Sequence, residues 1–503
     1  MFWDLIGNPG FEVPQGSGLH VLSAGAPWIG AIDESGQLRM AAQTYRQSGE
    51  DYAAGPVADA YPPTYDQRYQ RTWVVTAAEI DTHQVQYNQP GYVAPPDLLD
   101  WPGNGDTTNG EAWQLAPFVD LDQDGVYDPT DGEYPEIKGD QALFAMFNDE
   151  RVLHTESGGL PLGVEVHLLA WAIDASDTST QAWLGETLFL DYRVHSRRRN
   201  LSEAYFGLWL DWDVGFFGDD YTGCDTAREA WYGYNGDSLD EGPRGYGSAP
   251  PAIGATWLNQ PMTHHMYYNN DFSVTGNPFD TTLHYYGYLT GRWKDGLPLT
   301  FGGNGYATGK PTPYAYPSLP TDSSAGAWHE VAANSSPGDR RSLSSVGRFR
   351  LPIGSTFCAR LALVHGRAVG MDHLGSVLAM LDRVDSVRTY FADSLGQGCL
   401  APTMPVDTSH DDTMNTALAP ADAPPRWQLA PNPAHQSLQL ISAKAWASPG
   451  QYTLLDTHGR VLHRGTLPTQ GRLRLDISHV PAGLYLMRIQ DRQGVQTLRW
   501  RKE

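Results

Sequence analysis

Several things are scarce in this chain, and each scarcity excludes something. No run of eighteen apolar residues occurs anywhere in the sequence, so no membrane-spanning helix is expected. There are three cysteines, Cys224, Cys358 and Cys399. An odd number rules out a complete disulfide framework and leaves room for one bridge and one thiol. Cys358 falls inside the strand-like FCARLALV and reads as a small core residue, so Cys224 with Cys399 is the bridge to expect. The opening Met1-Phe2-Trp3-Asp4 has no basic stretch and no apolar stretch of a leader. The start is therefore expected to be internal to a longer precursor, or processed. No H-E-x-x-H, C-x-x-C or G-x-S-x-G spacing is present. GNGYATGKPT lacks the spacing of a phosphate loop, and Pro311 stands where a helix would have to begin; it reads as a surface turn.

Positive charge is also short. The formal net charge is −24, with five lysines against 29 arginines. The imbalance is uneven: from Arg426 onward the chain carries +7, and everything before it carries −31. Such a body repels nucleic acid and anionic membrane, and it suits a cation-binding protein.

What is abundant is glycine, proline, tryptophan and tyrosine, with few long amphipathic runs. The expected fold is mainly β. A large irregular β-sandwich-like body spans 1–400, divisible near 150–160. A linker follows over 401–426, rich in Pro, Thr, Asp and Ala, and then a small C-terminal immunoglobulin-like β-sandwich over 427–503. Alternation is clearest in GVEVHLLAWAI, ETLFLDYRVHS and AYFGLWLDWDVG. These three are expected to form one antiparallel sheet with a packed face and a decorated face. Residues 217–350 read as long ordered loops. One helix is expected, in LGSVLAMLDRVDSVRTYFAD, where Val377, Leu378, Leu381, Val384, Val387 and Tyr390 recur at helical spacing.

The strongest local motif is DLDQDGVYDPTD. Asp120, Asp122 and Asp124 occupy positions one, three and five, Gly125 the sixth, Val126 the seventh, Asp128 the ninth and Asp131 the twelfth. Calcium takes six to eight oxygen ligands, and a sharp turn at glycine folds alternate side chains inward. Asp120, Asp122, Asp124, Asp128 and Asp131, with the Val126 carbonyl, form the expected calcium set. Pro117 and Pro129 exclude flanking helices, so the loop resembles those of dockerins and thrombospondin type 3 repeats. DWDVGFFGDDYTGCD adds Asp211, Asp213, Asp219, Asp220 and Asp225, a second calcium candidate set against a solvated acidic turn and a carboxylate pair for glycoside hydrolysis. Ten tryptophans from Trp101 to Trp328 suit either a β core or a sugar-stacking face.

The tail carries LAPNPA, then QYTLLDTHGRVLHRG, RLRLDISHVPAGLYLMRI and TLRWRKE. Short alternating strands separated by turns give a sandwich pattern. These four motifs, in this order, resemble the type A C-terminal sorting domain of the type IX secretion system of Bacteroidota. The matching positions are Pro431, Asn432, Pro433, Gly459, Gly483, Tyr485, Arg501 and Lys502; Ala430 departs from the aromatic more common there. The resemblance implies delivery to the medium or outer surface by translocon, shuttle and sortase, with surface glycan or lipopolysaccharide as a candidate partner. The body also resembles a recurring region of surface proteins in the same phylum, with no activity attached. The reading is an exported, calcium-stabilised protein of binding or structural role. Its rivals are a glycan or polymer hydrolase using Asp/Glu pairs and a carbohydrate-binding module with an aromatic platform.

Overall fold

A computed structural model describes residues 10–45, 47–175, 182–242, 244–279 and 281–394 of the body. In the tail it describes 427–430, 437–442, 451–456, 461–467, 472–481, 483–491 and 494–502. The chain divides into two units, Met1–Asp407 and Thr408–Glu503.

In the body, the main strands in chain order are β1 (His20–Asp33), β2 (Leu38–Ala41), β3 (Trp73–Thr76), β4 (Gln141–Asn148), β5 (Val164–Ala172), β6 (Thr187–Ser196) and β7 (Leu201–Trp212). They continue as β8 (Asp220–Asp225), β9 (Ala230–Asn235), β10 (Ala252–Trp257), β11 (His264–Asn269), β12 (Arg340–Leu351) and β13 (Thr356–Gly366). One antiparallel sheet runs β1-β7-β12-β11, with β2 added to β1. The other runs β8-β9-β10-β13-β6-β5-β4, with β3 added to β4.

Alternation decides which side chains meet between the sheets. Leu190, Tyr192 and Val194 of β6 face Phe206, Leu208, Leu210 and Trp212 of β7 in one continuous core. Leu361 and Leu363 of β13 and Trp257 of β10 join them. Each fully buried leucine or aromatic there contributes roughly 1.5–3 kcal/mol relative to exposure. Two of the three indole nitrogens within this core are matched: Trp212 Nε1 donates to Ser342 Oγ at 2.6 Å and Trp257 Nε1 to Ser344 Oγ at 2.7 Å, whereas Trp231 Nε1 has no partner.

The three strands expected in one sheet are split between two. β5 and β6 pair in the large sheet, and the chain crosses at Arg197–Asn200 so that β7 enters the small one. Nor does β7 have a decorated face. Trp209 and Tyr205 are buried on its far side with Trp28, Tyr285, Trp293 and Trp328. That cover comes from α2 (Thr282–Leu289) and the loops before and after it. The 217–350 region, expected as loops, therefore contributes β8 to β11, nearly all of β12, and a helix. Its strands, such as AWYGYN and AIGATW, carry glycine and aromatics where aliphatic alternation would have marked them.

The expected helix is α3 (His373–Ser394). Val377, Leu381, Val384 and Val387 bury against the outer face of the large sheet, with Met380, whereas Leu378 is 40% exposed. It is not alone. α1 (Ala77–Gln86) starts at a capping box in which Thr76 Oγ1 accepts from Glu79 N–H and the Glu79 carboxylate accepts from Thr76 N–H. The cysteine pairing also differs from expectation. Cys224 is a free thiol with no exposure, packed in the inter-sheet core with Sγ 3.3 Å from the Ala315 carbonyl. Cys358 is disulfide-bonded, and Cys399 lies outside the described residues.

In the tail unit, Trp427–Ala430, Ser437–Ser442 and Arg472–Asp476 form one sheet. Val461–Thr466, Gln451–Asp456, Gly483–Asp491 and Gly494–Lys502 form the other. Leu438, Leu440 and Leu475 meet Leu454, Tyr485, Met487 and Ile489 in a common core, the two-sheet sandwich that the alternation indicates.

The α3 contact yields a direct test. Leu381→Ala is expected to destabilise the body by about 2–5 kcal/mol in chemical denaturation, while Leu378→Ala stays within about 0.5 kcal/mol. Equal losses would contradict the assigned buried stripe.

Candidate functional site

The Asp120 loop is shaped by its own backbone. Asp120 accepts from Gln123 N–H at 2.7 Å and Gly125 N–H at 2.9 Å; Asp124 accepts from Val126 N–H at 2.7 Å. Gln123 and Gly125 both adopt left-handed backbone, at φ 66° and 78°, which tightens the turn. Carboxylate oxygens of Asp120, Asp122 and Asp124 all come within 4.8 Å of one another. Asp128 instead caps the short turn Pro129–Asp131, accepting from Thr130 N–H at 2.8 Å, and Asp131 is exposed within that turn. A residue that the spacing did not indicate closes the loop. Glu133, 1% exposed, accepts from Leu121 N–H at 2.9 Å and Asp128 N–H at 2.8 Å.

The second acidic set is divided by the fold. Asp211 and Asp213 gather with Asp339, a residue distant in sequence, their oxygens within 4.8 Å. Arg341 lies among them, 3.2 Å from Asp211 and 2.7 Å from Asp339, and the Tyr45 hydroxyl donates to Asp211. Burial first, then the charges of Asp211 and Asp339, pushes the Asp213 carboxyl well above its usual range. Asp219 and Asp220 meet Asp240 instead. Asp220 is fully buried; Oδ2 accepts from Val214 N–H at 3.1 Å and Oδ1 has no hydrogen-bond partner. Its carboxyl is pushed far up by burial, reinforced by Asp213, Asp219 and Asp240. Asp219 is raised to about 7 by burial and by Glu241 and Asp240, with Asn235 opposing. Gly215 makes this convergence feasible, because a Cβ there would lie 1.9 Å from Asp240 Oδ2. Asp225 stands apart at the far end of β8, paired with Arg228 at 2.7 Å.

A cleft of about 520 Å³ opens over the outer face of the large sheet. The floor comes from Arg193 and His195 of β6 and from Arg197 beyond it; the wall comes from residues 112–118, with Asp120 and Glu136. A smaller cavity of about 40 Å³ shares Pro117, Glu136 and Arg193 and reaches Lys138, His167 and Asp191. Asp191, Arg193 and His195 alternate on one strand, so they share a face. Glu165 is fully buried and bound by Arg197 at 2.6 Å and His167 at 2.8 Å. Those partners overcome its burial and hold its carboxyl well below the usual range. The signal for this site, charged residues at every second position of ETLFLDYRVHSRRR, was present in the sequence but was read only for its apolar face.

Most of the tryptophans do not form a surface. Trp101, Trp171, Trp209, Trp212, Trp231, Trp257, Trp293 and Trp328 are buried, and Trp113 alone of the ten is exposed. Of the tail positions, Gly483 pairs with Lys502 in register, Leu484 with Arg501, and the Tyr485 hydroxyl donates to the Pro481 carbonyl at 2.8 Å. Pro431, Asn432, Pro433 and Gly459 lie outside the described residues.

Comparison with known proteins bears on the tail. Residues 428–502 match the model of the secretion system C-terminal sorting domain. A search of curated proteins gives no match. Among solved structures, a polysaccharide lyase is similar with 6% identity and a TM-score of 0.22 over 78% of this chain. This chain spans 37% of that lyase, and a likeness at that level assigns neither fold nor activity.

The raised Asp219 carboxyl sets a pH dependence. Its folded-state value of about 7 exceeds the unfolded value of about 3.9, so the folded state holds the proton longer. The associated stability is full below about pH 4 and is lost as pH rises to about 7. In chelator, Asp219→Asn is expected to raise the melting temperature over the parent increasingly from about pH 4 to about pH 8. A difference constant across that range would contradict it.

Proposed function

We propose that this cargo of the type IX secretion route is an extracellular or outer-surface protein whose body is held rigid by calcium and serves a binding or structural role. The sorting domain over 428–502 makes the chain a secreted or cell-surface protein, and outside the cell calcium is plentiful. No described helix is long and apolar enough to cross a membrane. The observation that carries the calcium reading is the convergence of Asp120, Asp122 and Asp124, with oxygens within 4.8 Å. Three carboxylates so close repel unless a cation or protons intervene. Hard oxygen donors on a tight glycine turn fit calcium's coordination, and Asp128 and the Val126 carbonyl stand in the same loop to extend the set. The ion would supply charge neutralisation and loop rigidity, and Glu133 would brace the loop from beneath. The second acidic region supports the same reading at Asp219 and Asp220, with Asp240. The Asp211–Asp213 group supports it less, since Arg341 already neutralises charge there.

In this reading the tail is handled by translocon, shuttle and sortase, and the body is the delivered part. Two carboxylates line the main cleft, Asp120 and Glu136. The binding role takes precedence over the paired-carboxylate chemistry of a glycosidase because Asp120 is engaged by the Gln123 and Gly125 N–H groups of its own loop and belongs to the calcium set.

Two experiments test this. Calcium at a hundredfold excess over its dissociation constant is expected to stabilise the body by about 2.7 kcal/mol. Chelation should lower the melting temperature, and Asp122→Ala or Asp124→Ala should reduce the calcium-dependent shift; a shift unchanged in both variants, or a melt indifferent to calcium, overturns the loop's role. Deleting 427–503 should leave the protein in the periplasm, scored by fractionation and by protection from external protease. Undiminished surface display would remove the tail's role.

A further inference from the structure

Arg193 is the anomaly of the cleft floor. In a chain of net charge −24 it is half-buried, yet its side chain has no hydrogen bond and no ion pair among the described residues. The neighbouring carboxylates are committed elsewhere. Asp191 is bound by Lys138, with Arg360 at 3.5 Å, and Glu165 by Arg197 and His167. The charge that Arg193 feels on Lys138 is of its own sign. A guanidinium at the floor of a cleft with no counter-charge of its own is free to take an anion.

Two more polar atoms at this floor are buried without partners, His195 Nε2 and Arg197 Nε. The other ring nitrogen of His195 is engaged with Thr356 Oγ1 at 2.7 Å. Burial, with the nearby His167 and Arg197, keeps that imidazole neutral down to about pH 2. It offers a hydrogen bond and no charge. Across from these groups, Leu115, Pro117 and Phe118 form an apolar wall, and Glu136 is an exposed carboxylate at the edge. The site thus combines one uncommitted cation, neutral and acidic hydrogen-bonding groups, and an apolar surface.

We propose that this cleft binds a polysaccharide bearing carboxylate groups, a uronic-acid chain, with Arg193 pairing to one sugar carboxylate. The apolar wall takes a pyranose ring face, while His195, Arg197 and Glu136 exchange hydrogen bonds with ring hydroxyls. A bare inorganic anion would leave the apolar wall and the acceptors unused. An acidic peptide would meet the repulsion of Glu136 and Asp120 with too few hydroxyls to satisfy them. The inference adds a ligand class to the binding role proposed above. It does not depend on calcium, because no cation of the floor comes from the Asp120 loop.

The test is titration calorimetry of the full chain at low salt against oligogalacturonate, alginate and hyaluronan oligomers. Methyl-esterified oligogalacturonate, dextran sulfate and poly-glutamate serve as comparison ligands. Binding to at least one uronate is expected, weakened tenfold or more by methyl esterification and by Arg193→Ala. The exposed Arg350→Ala should leave it unchanged. Arg193→Gln, which removes the charge but keeps a polar side chain with its first three carbons, provides a second variant; its melting temperature should match the parent while affinity falls to the same degree. Absence of binding to all three uronates overturns the proposal. So does affinity indifferent to Arg193→Gln or to esterification, or binding confined to dextran sulfate or poly-glutamate.

Discussion

The constraint on which this body depends is that its small sheet is buried on both faces, and its large sheet over much of both. Trp212 and Phe206 of Leu201–Trp212 pack inward against the large sheet, while Trp209 and Tyr205 of the same strand pack outward under α2 and its loops. A strand without a wet side must satisfy every polar atom it carries from within the protein. The serines of Arg340–Leu351 answer that need beside the inward tryptophans, and Tyr45 and Arg341 answer it for Asp211. The outer cover is a regular helix, α3, over part of the large sheet, and α2 with long irregular loops over the small one.

Charge in this molecule is organised by the same burial. Carboxylates cluster in an exposed turn at Asp120–Asp124, and at Asp219, Asp220 and Asp240, where burial favours protons or cations over bare anions. On the outer face of the large sheet the balance reverses locally. Glu165 is saturated by an arginine and a histidine, and Arg193 is left over. A strongly acidic chain can therefore carry a receptive site for anions, provided that the fold assigns its nearby carboxylates to other partners.

What could be read from the sequence was whatever is local. The Asp120 loop is a pattern within twelve residues, and α3 and the strands Val164–Ala172 and Thr187–Ser196 show their period in a single window. The tail's alternation placed Tyr485, Met487 and Ile489 on one core face. The rest depends on contacts distant along the chain. Asp339 reaches Asp211 only because β12 lies beside β7, and Glu133 acts two residues beyond the spacing that defined the loop. The strands at Ala230–Asn235 and Ala252–Trp257 escaped notice because tyrosine, tryptophan and glycine fill positions where valine or isoleucine would have marked them. Arg193 was visible as one of several alternating charges, but its lack of a counter-ion is a property of three dimensions.

The solitary Cys224 thiol has its own significance for a protein sent outside the cell. It lies between the two sheets with no exposed surface, and burial drives its ionisation far above the ordinary thiol range. Thiolate is the reactive form in disulfide exchange, and here neither oxidant nor partner can approach it without separating the layers. Folding is thus the step that makes an unpaired sulfur safe. A chain that reached an oxidising medium before its sheets had closed would risk cross-linking to its neighbours through this thiol.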